Sequence, residues 1–76
     1  MKYTVCSIFD RASREYSQPF YTPNQATAQR EFLRLQKDPQ SAVHAFPEDY
    51  KLFVVAEFDT ESGTMFELTQ IQDITP

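Results

Sequence analysis

The sequence predicts a small α+β domain with the element order ββαββ, an antiparallel sheet with one helix packed on one face. Three observations carry that expectation. Two stretches rich in β-branched and aromatic residues, KYTVCSIF at 2–9 and YKLFVVAEF at 50–58, read as strands. Polar segments, DRASR at 10–14 and DTESG at 59–63, follow them and fold each back into a hairpin. Between the hairpins lies a single amphipathic run, QATAQREFLRLQK at 25–37.

In the first strand Tyr3, Val5, Ser7 and Phe9 alternate with Thr4, Cys6 and Ile8, so it presents two faces. The Asp10 carboxylate can accept backbone N–H groups of the turn that follows. A second, short strand is expected from about Glu15 to Tyr21, at an edge or ending early, because Pro19 removes a ladder donor. Thr22 or Asn24 can cap the helix, with Pro23 where a missing N–H does no harm, and Asp38-Pro39 stops it. Ala28, Phe32 and Leu35 share a stripe facing the sheet, with Leu33 beside it, whereas Arg30, Arg34 and Lys37 form a second stripe.

Residues 39–49 hold two prolines and no sustained period, and read as a loop with ordered turns. In the strand at 50–58 both faces, Leu52/Val54/Ala56/Phe58 and Phe53/Val55, are largely apolar. One helix covers one face, so the second calls for a dimer partner or a bound ligand, and a homodimer is expected. Gly63 takes the left-handed position of the second turn, Thr64–Thr69 returns as a strand, and residues from about 70 to 76 form a flexible tail. The pair Phe-Asp recurs at two strand ends, Phe9-Asp10 and Phe58-Asp59, each time before a polar loop.

Residues 1–76 form one domain, and a chain this short buries only about 60% of its unfolded surface, which leaves no thick core for a large enclosed active site. One glycine cannot build a P-loop or a dinucleotide fingerprint, and one Cys with one His supplies neither a zinc site nor an internal disulfide. No cofactor and no metal are expected. The start MKYTVCSIFD lacks an apolar leader and no run approaches the ~20 apolar residues of a membrane span, so the reading is a soluble, cytoplasmic protein with no membrane partner.

Catalytic chemistry finds no support. His44 lies in the irregular loop with no nucleophile that spacing places beside it, and Glu48 and Asp49 are adjacent rather than convergent. Asp59 and Glu61 precede Gly63 in a loop far shorter than a calcium loop, and Cys6 sits within a strand as a small core residue. The expectation is that the protein is not an enzyme.

The net charge of −4 conceals two unlike halves. Residues 1–37 hold six basic side chains against three acidic ones, a net of +3, and residues 38–76 hold Lys51 against eight acids, a net of −7. Such a split suggests an anionic ligand on one side, and equally fits two solvated faces that pair with one another. Within the basic half, Arg11, Arg14, Arg30, Arg34 and Lys37 accompany Tyr16, Phe20 and Tyr21. Cations that follow phosphates and flat rings that stack on bases are what binding to single strands requires. The three rings fit core or interface positions as well.

The chain resembles the small nonstructural protein of gokushoviruses, microviruses with single-stranded circular DNA that infect bacteria. The resemblance is carried by Phe9-Asp10-Arg11, Pro19-Phe20, Pro23-Asn24 with Ala28, Arg30 and Phe32, Asp38-Pro39 with Ser41, Pro47-Glu48-Asp49-Tyr50 with Leu52, and Phe58-Asp59 through Gly63. Ala56 stands where that pattern leads one to expect glycine. The resemblance implies a nonstructural role in the host bacterial cytoplasm, in the switch to viral single-stranded DNA synthesis or in delivery of that strand to the procapsid, and implies no enzymatic activity. Two functions follow as expectations: a single-stranded DNA-binding homodimer using the five cations and three rings above, or an adaptor that contacts the replication initiator, the procapsid or a host factor through an apolar sheet face and acidic loops.

Overall fold

In a computed structural model describing Met1–Pro76, the chain forms one antiparallel sheet with one main helix across it. Strand β1 (Lys2–Asp10) is followed by two short strands, β2 (Glu15–Tyr16) and β3 (Phe20–Thr22), both paired with β1. The single second strand expected over Glu15–Tyr21 is thus divided. Pro19 lacks the N–H that would continue the ladder. Ser17 bridges the gap: its N–H donates to the Ile8 carbonyl at 2.8 Å, and its hydroxyl accepts from the Ile8 N–H at 2.9 Å.

Helix α1 (Gln25–Lys37) has the expected bounds. Of the two candidate caps Asn24 fills the role, its Oδ1 accepting the Thr27 N–H at 2.8 Å. Within residues 39–49 the ordered turns are a four-residue helix α2 (Ala42–Ala45) and a 3-10 turn over Pro47–Asp49. Strands β4 (Tyr50–Asp59) and β5 (Thr64–Asp73) complete a sheet ordered β2-β1-β4-β5. The return strand runs to Asp73 rather than stopping at Thr69. Beyond it, the Ile74 N–H donates to the Leu52 carbonyl at 2.9 Å, and the Thr75 hydroxyl accepts from the Leu52 N–H at 2.9 Å.

Ala28 and Phe32 bring α1 onto a core of Cys6, Leu52, Val54 and Val43, with Ile8, Phe20, Leu35 and Leu68 packed around it. Leu33, expected beside this stripe, is 41% exposed. The expected faces of β4 require correction. Val5 pairs with Ala56 and Cys6 with Val54, so Val55 is an extra residue with no partner on β1, and the β4–β5 register shifts at the same place. A bulge of this kind switches which residues share a face. Leu52 and Val54 therefore join the helix side through Ile8 and Cys6, while Ala56 and Phe58, opposite Val5 and Tyr3, join Phe53 on the other. No helix is long and apolar enough to cross a membrane.

Candidate nucleic-acid interface

The sheet face turned away from α1 carries most of the rings. Cross-strand partners share a face, which places Tyr3, Val5, Phe9, Tyr16, Tyr21, Phe53 and Phe58 together there. Phe9 and Tyr16 lie 4.8 Å apart between ring centroids, with Phe53 at 5.8 Å from Tyr16 and 6.5 Å from Phe9. Farther along, Tyr21 and Phe58 meet at 6.0 Å. Val5 and Ala56, cross-strand partners on this same face, are buried although no helix lies over them. Tyr16 and Tyr21 remain about half exposed, at 48% and 53%.

At one end of this face a cavity of 390 Å³ is lined by Phe9, Tyr16, Phe53, Arg11, Lys51, Glu48 and Asp49. Arg11 is held there twice over. Its N–H donates to the Asp49 carbonyl at 2.8 Å, and its guanidinium donates to Asp49 Oδ1 at 2.9 Å. Lys51, paired across the strands with Phe9, stands 3.8 Å from the Asp73 carboxylate. Arg14 projects from the adjoining turn, exposed and without an ion pair.

The residues expected to act together are divided between two sides of the molecule. Arg11, Tyr16 and Tyr21 belong to the open face or its rim, with Arg14 in the adjoining turn. Arg30, Arg34 and Lys37 lie on the outer side of α1, opposite the stripe formed by Ala28 and Phe32, and so across the sheet from the rings. Arg34 donates to Glu31 through Nε at 3.0 Å and through its terminal nitrogen, whereas Arg30 and Lys37 have no carboxylate in reach. Phe20, opposite Cys6, packs against the helix-side core, and of the two roles open to it the structure gives it the core one.

Spacing did not single out Phe9, Phe53, Phe58 or Lys51 for the site. The alternation of β1 places Phe9 with Tyr3 and Val5, but its pairing with Lys51 and the face of Phe58 depend on the register across the Val55 bulge. The two charge halves pair only sparsely: Arg11 with Asp49, and the N-terminal amine with Asp59 at 4.0 Å and Glu61 at 3.9 Å. His44 is used structurally, its Nδ1–H donating to the Gln36 carbonyl at 2.7 Å near the end of α1. Burial pushes the Cys6 thiol up, partly offset by a hydrogen bond with Thr22, so it stays protonated.

A family model described as Phage ORF5 protein matches residues 3–75. No curated protein and no solved structure matches the chain.

Proposed function

The chain belongs to the Phage ORF5 protein family, and from that premise we propose that it is a non-enzymatic single-stranded DNA-binding protein of a microvirus, acting in viral strand synthesis or packaging in the bacterial cytoplasm. The observation that supports this most is the open sheet face, where half-exposed Tyr16 and Tyr21 lie in a field of rings with Arg11 and Lys51 at one end. Bases stack on the rings in any sequence, each stack contributing ~1–3 kcal/mol, and Arg11, Arg14 and Lys51 follow the phosphates. The stripe of Arg30, Arg34 and Lys37 attracts DNA over a longer range without touching the bases. In this reading the protein is a homodimer joined by pairing of the free edges of β5, whose exposed Phe66 lies on the helix side opposite Glu57, which leaves the ringed face open.

Fluorescence anisotropy of a labelled ~30-nucleotide single strand and of its duplex tests the proposal. The single strand is expected to bind more tightly, with log affinity falling against log salt at a slope of about −2 for three phosphate contacts. Tyr16→Ala with Tyr21→Ala is expected to weaken binding at least tenfold in a folded protein, at ~1–3 kcal/mol per lost stack. Unchanged affinity in that variant would overturn the assignment to the open face. A slope of about −3.5 or steeper would bring the helix stripe into direct contact. Phe46, 61% exposed beside Pro47, Glu48 and Asp49, favours a second reading, an adaptor for the replication initiator, the procapsid or a host factor. Absence of any single-strand binding at low salt would favour it.

A further inference from the structure

We propose that the cavity at the Arg11 end of the open sheet face is a pocket for one nucleobase, and that it prefers bases bearing an amino group over thymine; the proposal rests on the single-strand reading and refines it. Its volume of 390 Å³ falls within the range of small-ligand sites. Phe9, Tyr16 and Phe53 form an apolar wall on which a flat ring can stack, and Tyr16 is the most accessible of the three.

The rim contains what a plain phosphate groove would lack, two carboxylates. Beside Arg11 and Lys51, Glu48 and Asp49 repel phosphate at this end of the face and favour a ligand that donates hydrogen bonds. The Arg11 guanidinium donates to Asp49 Oδ1 at 2.9 Å, which fixes the carboxylate and offsets its charge. The second oxygen of Asp49 accepts no hydrogen bond from the protein, and Glu48 has no partner at all. Ionised carboxylates only accept. The exocyclic amino groups of cytosine, adenine and guanine supply donors, and a carboxylate accepting from cytosine N4 is an established pairing. Thymine has no amino group and flanks its one ring N–H with two carbonyl oxygens, which would face the carboxylates acceptor to acceptor.

The test compares labelled ~20-nucleotide tracts of dC and dT, two pyrimidine strands of similar flexibility, by anisotropy against the full-length protein. The dC tract is expected to bind roughly tenfold more tightly, the size of one hydrogen bond to a charged acceptor. Glu48→Gln with Asp49→Asn gives each side chain a donor as well as an acceptor, and is expected to bring the ratio close to one. Circular dichroism checks that this isosteric variant keeps its fold. Equal binding of both tracts by the natural protein would overturn the pocket and leave the single-strand reading standing. A dC preference that survives the double substitution would overturn the role of the carboxylates. Failure to bind either tract would overturn the single-strand reading itself, and the pocket with it.

Discussion

Two turn residues share one backbone conformation with different side chains. Arg14 has φ 61° and Gly63 φ 70°, and each closes its hairpin with an N–H donated to an aspartate carbonyl four residues earlier, Arg14 to Asp10 at 2.8 Å and Gly63 to Asp59 at 2.9 Å. Both aspartates also accept a turn N–H through their side chains, from Ala12 at 2.9 Å and from Glu61 at 3.0 Å. The recurring Phe-Asp pair thus marks the same turn built twice. Gly63 was legible because glycine adopts this region without strain. Arg14 was not, since nothing in an arginine announces left-handed backbone, which costs about 1–2 kcal/mol outside glycine. Arg14→Gly removes that strain and adds unfolded-chain entropy, so a net gain of up to about 1 kcal/mol is expected in a denaturant titration. The same variant is expected to bind single strands more weakly, because Arg14 is one of the three cations assigned to phosphate. A rise in stability without a loss of affinity would take Arg14 out of the site.

At the scale of elements, the helix could be read and the strand faces could not. Asn24, Pro23 and Asp38-Pro39 act locally, through one cap hydrogen bond and two proline constraints, so short-range residue identity determines both ends of α1. Asn24→Ala removes the acceptor of the Thr27 N–H and is expected to lower stability by about 1 kcal/mol, measured as a lower unfolding midpoint with an unchanged m-value. The faces of β4 depend on a non-local event. A period of two assigns Leu52, Val54, Ala56 and Phe58 to one side, but Val55 opposes no residue of β1, and the face switches there. Without that switch Phe58 would point toward α1 and the ringed face would lose its pairing with Tyr21. The division of Arg30, Arg34 and Lys37 from the rings has a similar cause. Spacing groups them on one helix stripe, but which layer that stripe faces is decided by where Ala28 and Phe32 pack.

The molecule as a whole has little core in reserve. Only 10 of 76 residues are buried, so hydrogen bonds and charges at the chain ends carry a larger share of stability than in a bigger domain. Two carboxylates hold such positions, and a third, Glu31, lies within α1. A hydrogen bond from the Thr75 hydroxyl, joined by the Thr75 N–H and Lys51, keeps Asp73 below the usual carboxylate range and ties the last residues to β4. The Glu61 N–H, with the N-terminal amine nearby, does the same for Asp59 at the β4–β5 turn, and the Arg34 hydrogen bond does so for Glu31 on α1. A group whose folded pKa lies below its unfolded value stabilises the fold at pH above the unfolded value, about 4 for carboxylates, and that contribution disappears as pH falls through the folded value. The melting temperature is therefore expected to be flat with respect to these groups from about pH 5 to 8 and to decline below about pH 4. Asp73→Asn keeps the shape of the side chain and removes its titration. It is expected to lower the melting temperature at pH 7 and to make the acid-side decline shallower. A decline of equal steepness in the natural protein and in Asp73→Asn would place the acid sensitivity elsewhere, at Asp59 or Glu31.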